Sequence, residues 1–519
     1  MKKTAAFLSK SAYAIAFVFL ALLVYASARY TFSYDLSNLR IDPSVYEVKD
    51  SLIKNILYFV VIIVILYLTK QLLFIKASDE KVREKRSFLF AVTVSLAVFI
   101  YLVYWVSQTK MAPYADQKRV INYAMAFNDG DYSGMEDIYL RSLPHQFGQI
   151  FFDEPVLKVF KNYIVFQYLN AVFVGLCIFL SSRIVKEMKL GASAGVYAVC
   201  LTTVFIPNYY YVSHIYGDLF SLFASFMILY MLLKYKNTAK IRFLVFTVIL
   251  ASVMYPIRNN NIIFLLTLAI FFVIDFLNRK EKKYLLMAVL VIALPLALTK
   301  GIKLYYNFIS PYEVSAGAPQ IEWVIMATHG DPDEGTGVGY FDGTAGESWI
   351  AHDFDDVITK RFDRAELIEI IKNDIHHGRR TYRFYRYKID EQWTDPTFAS
   401  VIMTNAAADA GTKLSDRVYD TSFLSFHYGM FNYILFAIYL LALIALVDRF
   451  LKDTEYDFLV IYVFFVGVFL FSLIWEASGR YTMPAVYFLI VPAAWGVECL
   501  EKAIKTLMTG IKTRRAVNL

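Results

Sequence analysis

Four polar clusters border the long apolar runs of this 519-residue chain, and their side chains are the candidates for chemistry. The first cluster contains Asp116, the second Asp218 and the third Arg258, while the fourth contains Glu476 and Arg480. A positioned carboxylate can take the proton of a hydroxyl group as a general base. A guanidinium is planar and permanently charged, which suits the recognition of phosphate. The clusters together predict a cavity that binds an anionic headgroup and carries a base.

Uncharged polar residues accompany the charged ones. His145 and Gln146 follow Pro144, and Tyr216 lies two residues before Asp218. A lone histidine is more often structural than functional. His145, Gln146 and Tyr216 are the uncharged polar residues that would line the same cavity.

Asp116 also has a structural explanation. Apolar residues recur at helical spacing after it, at Val120, Ala124 and Phe127, which predicts a surface helix over 116–128 that ends near Gly130. A carboxylate at the start of such a helix is often only its N-cap. A helix with this pattern is expected to lie flat on the membrane surface.

The other clusters have structural explanations too. Asp218 is also explained as a solvated cap at the mouth of a span, and Arg258 as part of a tight turn between two spans. Glu476 and Arg480 are four residues apart, so they can pair with each other on a helix. An arginine on the outer side of a membrane nevertheless runs against the usual distribution of positive charge.

The composition excludes a soluble globular protein. Hydrophobic residues make up 58% of the chain, against about 45–50% in ordinary domains. Apolar runs of about 17–24 residues recur, which is the length that crosses a hydrocarbon core of roughly 30 Å. The same composition excludes disordered, coiled-coil, collagen-like and disulfide-bonded proteins. The net charge of +7 needs no nucleic acid partner, because an excess of cytoplasmic cations explains it.

These runs predict an all-α integral membrane protein with about 12 transmembrane helices. The expected spans are 11–31, 52–75, 87–107, 163–184, 191–207, 217–233, 242–256, 261–278, 284–299, 429–449, 457–475 and 482–500. The first run has features of a signal peptide, since Lys2 and Lys3 precede it and Ala26-Ser27-Ala28 resembles a cleavage site. Its length favours an uncleaved span.

Lysine and arginine in the short loops predict the orientation. The basic segments are 76–86, 183–189, 234–242, 279–283, 449–452 and 502–515, and they alternate strictly with the other loops. The positive-inside rule places these segments and both termini in the cytoplasm. The long segments 108–162 and 300–428 then lie outside the cell membrane. Because binding and catalysis often lie on large loops, we expect an extracytoplasmic active site.

The spans and loops divide the chain into four parts. Residues 1–86 are expected to form a two-helix membrane hairpin, and residues 87–299 a transmembrane core that includes the loop 108–162. Residues 300–428 are expected to form a small outer subdomain. Residues 429–519 contain the last spans and a basic cytoplasmic tail.

The outer segment 300–428 has its own signals. It contains Trp323, an amphipathic pattern over 363–373 and a run of alternating basic and aromatic residues over 379–388. Such a run can contact sugars, anionic polymers or lipid headgroups. A helix at the membrane interface, with its cations extended toward water, is the alternative. The acidic run 331–334 is explained as a solvated loop.

On these residues the chain resembles the GT-C membrane glycosyltransferases that use polyprenyl-phosphate sugars, near the protein O-mannosyltransferase-like branch. The resemblance covers most of residues 87–500. The segments that carry it are Ala115-Asp116-Gln117, Gly130-Asp131-Tyr132, Pro144-His145-Gln146, Tyr216 with Asp218, and Arg480-Tyr481 with Pro484. The second and third of these are similar to segments of bacterial envelope members.

The chain departs from the family in two respects. The family commonly has Asp-Glu in its first large outer loop, whereas Gln117 follows Asp116 here. That loop usually follows the first span, whereas here it follows the third. Residues 1–86 are therefore expected to be an addition to the family's architecture.

The resemblance implies the transfer of one sugar from a polyprenyl-phosphate donor to an acceptor hydroxyl, with inversion at the anomeric carbon. It implies that Asp116 is the general base and that Arg258 and Arg480 bind the donor phosphate. The residues implied to contact the acceptor or the sugar are Asp218, His145, Gln146, Tyr216 and Glu476.

The implied partners are the lipid bilayer, the lipid-linked sugar donor, and an envelope glycan or glycolipid as the acceptor. Nucleic acid is not an expected partner of an exterior loop. No cofactor is predicted, although some members of the family bind a divalent metal between acidic residues.

Two other functions stay open. One is a transporter or flippase of a lipid-linked sugar, and the other is a glycan ligase or polymerase that uses a lipid diphosphate donor. A transporter is expected to carry ionisable residues near the middle of the membrane and often has repeated halves. Here the charged residues lie at the mouths of the spans and no convincing repeat is present, which favours the transferase.

Overall fold

The computed structural model of this protein describes residues 2–34, 45–332, 337–405, 412–451 and 458–517. Within these residues the chain is helical, apart from connecting segments and one two-stranded antiparallel sheet. The acidic run 331–334 lies partly outside the described residues.

The first part of the chain holds two strands and most of the long helices. In order, these are α1 (Lys2–Arg29), β1 (Tyr30–Tyr34), β2 (Val45–Lys49), α2 (Leu52–Leu73), α3 (Glu80–Thr109), α4 (Ala115–Asn128), α5 (Ile138–Ser142), α6 (Gln146–Phe160), α7 (Ile164–Glu187), α8 (Ala192–Thr203), α9 (Pro207–Tyr211), α10 (Asp218–Thr238), α11 (Arg242–Ile257), α12 (Ile262–Arg279) and α13 (Lys282–Ile309).

The second part of the chain contains the remaining helices. In order, these are α14 (Ile321–Met326), α15 (Glu347–Ala351), α16 (Asp356–His376), α17 (Gly378–Thr394), α18 (Ser400–Asn405), α19 (Lys413–Val418), α20 (Thr421–Leu451), α21 (Leu459–Ile474) and α22 (Gly479–Val517). The amphipathic pattern over 363–373 falls within α16, which confirms that helix.

Nine helices in the described ranges are long and apolar enough to cross a membrane, so the chain is a multi-pass helical membrane protein. These are α1, α2, α3, α7, α10, α12, α13, α20 and α22. The other predicted spans fall on the apolar helices α8, α11 and α21, which have 12, 16 and 16 residues. A helix of 16 residues is about 24 Å long, which is less than the hydrocarbon thickness of about 30 Å.

The strand pair departs from the all-α prediction. Its strands lie mostly between the first two predicted spans, 11–31 and 52–75, and Phe32 is opposite Glu47 in its register. An isolated pair of strands is only marginally stable in water. This pair packs on α17, where the Phe32 ring meets the Tyr387 ring edge to face at 4.7 Å. The contact is between distant parts of the chain, so no local pattern indicated it.

The N-terminal helices are built into the bundle. Helix α1 packs along α12, α20 and α21, and α2 packs on α8 and α20. The Arg386 side chain donates two hydrogen bonds, of 2.7 and 2.8 Å, to the Glu47 carboxylate beside β1. At the opposite end of the bundle, Lys70 and Glu501 form a buried ion pair. The N-terminal hairpin is thus anchored to the C-terminal part of the chain at both ends.

The basic and aromatic run 379–388 lies in α17, and the two halves of this helix differ. Arg379 and Arg380 are exposed, whereas Tyr387 and Lys388 are buried. The second half packs against β1, α21 and α22. Only the first half of the run therefore presents its cations to a surface.

The long connecting segments meet at one end of the bundle. Residues 110–163, 204–217, 258–261, 310–420 and 475–478 connect the helices there, and we call this end the large-loop end. It brings the four polar clusters of the sequence together.

Candidate functional site

Asp218, the first residue of α10, forms a partly shielded ion pair at the large-loop end. Its Oδ1 accepts a hydrogen bond of 3.1 Å from Arg258 Nη2, and His214 Nδ1 lies 3.2 Å from its Oδ2. The Asp218 and Arg258 side chains are only 10% and 11% exposed. The explanation of Asp218 as a solvated cap is therefore wrong.

Two guanidinium groups lie over the Tyr216 ring. Its ring centroid is 4.6 Å from Arg258 Cζ and 5.7 Å from Arg480 Cζ, within the range of a cation–π contact. Its hydroxyl lies 2.9 Å from the Tyr139 hydroxyl and accepts a hydrogen bond from Gln146 Nε2. The Tyr216 ring, whose hydroxyl is held by Tyr139 and Gln146, thus contacts both arginines that are predicted to bind phosphate.

Arg480 and Glu476 do not pair directly. Arg480 Nη2 donates a hydrogen bond of 3.0 Å to the Tyr481 hydroxyl, which donates one of 3.1 Å to Glu476 Oε2. The buried Arg480 Nε has no partner in the described part of the chain. Among the described residues, no carboxylate oxygen lies within the 4.0 Å that defines an ion pair with Arg480. The charges of Asp218 and Glu476 act on Arg480, but neither carboxylate is in direct contact with it.

Asp116 lies at the start of α4, and this helix confirms the one predicted over 116–128. The N-cap is Tyr114, so Asp116 does not have the capping role. Its carboxylate makes no hydrogen bond or ion pair to any residue that the structure describes. Ala115 has a φ of +48°, a left-handed conformation that costs a residue with a side chain about 1–3 kcal/mol. The backbone is thus strained beside the candidate base.

Electrostatic effects link Asp116 to the other site residues. Burial raises the pKa of Tyr216, and the charge of Asp116 adds to the rise. Burial also raises the pKa of Glu476, where the Asp116 charge acts in the same direction, while Arg480 opposes it. Asp116 is therefore near enough to influence both residues.

Gln117, which departs from the family's acidic residue, has a structural role. It is buried, and its Oε1 accepts a hydrogen bond of 3.0 Å from Ile215 N. Gln149 Nε2 donates one of 3.3 Å to Ile215 O. These two side chains hold the segment that carries Tyr216.

His145 lies at the edge of this network. Its Nε2 is 3.4 Å from Gln146 Nε2. Burial lowers the pKa of His145 to about 3, and the charges of Arg258 and Lys303 act in the same direction. The imidazole is therefore neutral at physiological pH, so it can take part in hydrogen bonds but cannot serve as a fixed cation.

Direct contacts connect all of the predicted site residues except Asp116. Arg258 links Asp218 to Tyr216, and Arg480 links Tyr216 to Glu476 through Tyr481. Gln146 adds His145 to the same network. The structure thus brings together residues that lie far apart in the sequence.

Four residues of the network were not predicted as site residues, and one of them is Tyr481. Tyr139 contacts Tyr216, and the Arg119 guanidinium lies 5.0 Å from the Tyr139 ring centroid. His214 contacts Asp218 from the preceding segment. Spacing was a usable signal for two of them, because Arg119 follows Asp116 by three residues on α4 and His214 precedes Asp218 by four.

A second buried polar group adjoins the site. Lys388 Nζ donates a hydrogen bond of 2.6 Å to Ala327 O, and Glu391 Oε2 accepts one of 3.1 Å from Val338 N. Burial lowers the pKa of Lys388 to about 7 and raises that of Glu391 to about 8. Ala477 N donates to Gly339 O at 2.6 Å. These contacts fasten the segment around residue 338 beside Glu476.

The described ranges contain no group of three or more His, Cys, Asp and Glu side chains that could hold a metal ion. No family model matches this chain, and no curated protein sequence is similar to it.

Proposed function

We propose that this chain is a membrane glycosyltransferase that moves one sugar from a polyprenyl-phosphate donor to a cell-envelope acceptor. In this proposal the fold is GT-C-like with about 12 spans, and the large-loop end faces the outside of the cell membrane. The basic loops at the opposite end support this orientation. A lipid-linked donor reaches such a site from the bilayer.

The state of Arg480 is the observation that carries the proposal. Its guanidinium and that of Arg258 both lie over the Tyr216 ring, and no described carboxylate contacts Arg480 directly. The charges of Asp218 and Glu476 act on Arg480 only from beyond contact distance, and the Arg480 Nε has no hydrogen-bond acceptor among the described residues. A bound phosphate supplies acceptors in direct contact, and two guanidiniums can hold its oxygens through several hydrogen bonds.

The reaction follows from these groups. The acceptor oxygen bonds to the anomeric carbon, while the bond from that carbon to the donor phosphate oxygen breaks. The phosphate leaves with the electron pair, and Arg258 and Arg480 stabilise its growing charge. Asp116 takes the acceptor proton, because its carboxylate is not engaged by another described residue. Inversion at the anomeric carbon is expected from a single displacement.

Mass spectrometry of envelope glycans tests this proposal. We would compare a wild-type strain, a deletion strain, and strains that express Asp116→Asn, Arg480→Gln or Asp129→Asn at equal levels. Asp129 is the control, because it is an exposed carboxylate at the other end of α4. The expected result is the loss of one sugar substituent in all altered strains except Asp129→Asn.

Other results would separate the alternatives. A full wild-type glycan in the Asp116→Asn strain contradicts the role of Asp116 as the general base and favours a flippase. An unchanged glycan in the deletion strain contradicts the proposed function as a whole. Supplying purified enzyme with monophosphate-linked and diphosphate-linked donors distinguishes a transferase from a ligase or polymerase.

A further inference from the structure

Three aromatic rings form a near-parallel series beside the site. The Phe471 and Trp475 rings are 5.3 Å apart at 24°, and the Trp475 and Trp323 rings are 6.5 Å apart at 9°. Phe471 belongs to α21, Trp475 follows its last residue, and Trp323 comes from α14. Segments from two separate parts of the chain therefore build one aromatic stack, which we call the tryptophan platform.

The platform is not part of the hydrophobic core. Trp323 and Trp475 are only partly buried, and neither packs against a core cluster of the described residues. Their indole N–H groups have no hydrogen-bond partner within the described ranges. The fully buried Trp393 differs in this respect, since its Nε1 donates to Ser472 Oγ at 3.1 Å.

The platform is held next to the proposed catalytic residues. Trp475 directly precedes Glu476, whose carboxylate is connected to Arg480 through Tyr481. Helix α14 is fixed by Glu322 Oε2, which accepts a hydrogen bond of 2.7 Å from Gly346 N. Lys388 binds the carbonyl of Ala327 just after this helix. The two indoles are thus positioned by the same contacts that support the site.

We infer that the tryptophan platform binds a sugar ring of the acceptor, so that the acceptor is a glycan chain. This inference rests on the proposed function and identifies the acceptor class at that site. A flat aromatic face covers the apolar C–H face of a sugar ring, and free indole N–H groups donate to its hydroxyls. Tryptophans also occur at membrane interfaces without binding a ligand. That role accounts for Trp475 but not for the parallel arrangement with Trp323 from another segment.

A binding measurement on the purified full-length protein tests the inference. The probe is the envelope polysaccharide extracted from cells that lack this protein. Calorimetry in detergent measures the dissociation constant of the polysaccharide. Trp323→Leu and Trp475→Leu keep apolar bulk but remove the flat ring, and each is expected to weaken binding about tenfold. Trp323→Phe is expected to restore most of the affinity. Phe308→Leu is the control, because Phe308 is an 89% exposed aromatic residue of α13.

Unchanged binding by both leucine variants overturns the inference, and so does the absence of polysaccharide binding by the wild-type protein. A leucine variant whose unfolding temperature drops is replaced by Trp323→Phe together with Trp475→Phe, for which a loss of less than threefold is expected. The proposed function is contradicted by a different result, namely an envelope glycan of unchanged mass in the strain that lacks this protein. That result does not depend on either tryptophan.

Discussion

Arg258 Nη2 donates a 3.1 Å hydrogen bond to Asp218 Oδ1, and this bond joins the C-cap of α11 to the first residue of α10. Gly217, just before Asp218, has a φ of +79°, and a Cβ on it would lie 3.0 Å from Arg258 Cγ. The turn before α10 therefore leaves space for the Arg258 side chain because residue 217 has no Cβ.

Removing both members of this pair is expected to destabilise the protein less than the two single changes added together. Asp218→Asn should lower the free energy of unfolding by about 3–5 kcal/mol, because it leaves the Arg258 charge shielded and unpaired. Asp218→Asn combined with Arg258→Gln should cost less than the sum of the single changes. Denaturant unfolding in detergent measures this coupling. Additive losses would contradict the ion pair.

The matched control for that cycle is the pair of Lys360 and Asp356 on α16. Their atoms are 2.7 Å apart, but the side chains are 46% and 35% exposed. A surface pair of this kind contributes at most about 1 kcal/mol. Lys360→Gln with Asp356→Asn should therefore show almost no coupling.

Close packing between α6 and α11 leads to a second prediction. A Cβ on Gly148 would overlap the carbonyl oxygen of Pro256 and lie 2.6 Å from its carbonyl carbon. Gly148→Ala should therefore push α6 away from α11 and destabilise the protein by about 1–3 kcal/mol. Because Gln146 and Arg258 lie beside this contact, both should move relative to Tyr216.

Gly301→Ala on α13 provides the comparison for Gly148→Ala. A Cβ there would meet nothing within 4 Å, and alanine is favoured over glycine inside a helix by about 0.5–1 kcal/mol. We expect this variant to unfold at the same temperature as the wild type or slightly above it. Equal destabilisation of both variants would contradict the close approach at Gly148.

Local features of the fold could be predicted from the sequence, whereas contacts between distant segments could not. Helical periodicity and run length revealed α4 and every long apolar helix, because both are properties of neighbouring residues. The pairing of β1 with β2 depends on α17, and the position of Trp323 depends on Trp475. Lys388 lies in a run that resembles an exposed basic helix, and only tertiary packing shows that it is buried.

The same distinction applies to the site. The outward clusters predicted that charged residues would meet at one face, and the structure brings them together. Residue types alone did not reveal that Tyr216 contacts both Arg258 and Arg480, or that Tyr481 separates Arg480 from Glu476. These arrangements depend on the directions of side chains from three separate segments.

His145 should make the stability of the protein depend on pH. Its pKa is about 3 in the folded protein and about 6.5 in an unfolded chain. Between these values the unfolded chain binds the proton and the folded protein does not, so the free energy of unfolding falls as the pH drops below about 6.5. At pH 5 the loss is at most about 2 kcal/mol.

Unfolding of wild type and His145→Gln at pH 7 and pH 5 measures this contribution. The wild type should lose more stability than the variant, because glutamine carries no titrating group. His376→Gln on the exposed end of α16 should behave like the wild type. An identical pH dependence of wild type and His145→Gln would show that His145 does not titrate differently on folding.

Tyr481 is expected to position Arg480 for the donor phosphate. Tyr481→Phe keeps the ring but removes the hydroxyl that accepts from Arg480 Nη2 and donates to Glu476 Oε2. Hydrogen bonds to charged groups contribute about 1.5–3 kcal/mol, so the KM for the lipid-phosphate donor should rise about 10- to 100-fold. The KM for the acceptor should rise less, because Glu476 is the one proposed acceptor contact among the described residues that bonds to the Tyr481 hydroxyl. Steady-state kinetics with each substrate varied in turn measures both constants, and Tyr104→Phe on α3 is the control for loss of an exposed hydroxyl. An unchanged donor KM, or an equal rise in both constants, would show that the Tyr481 hydroxyl does not act through Arg480.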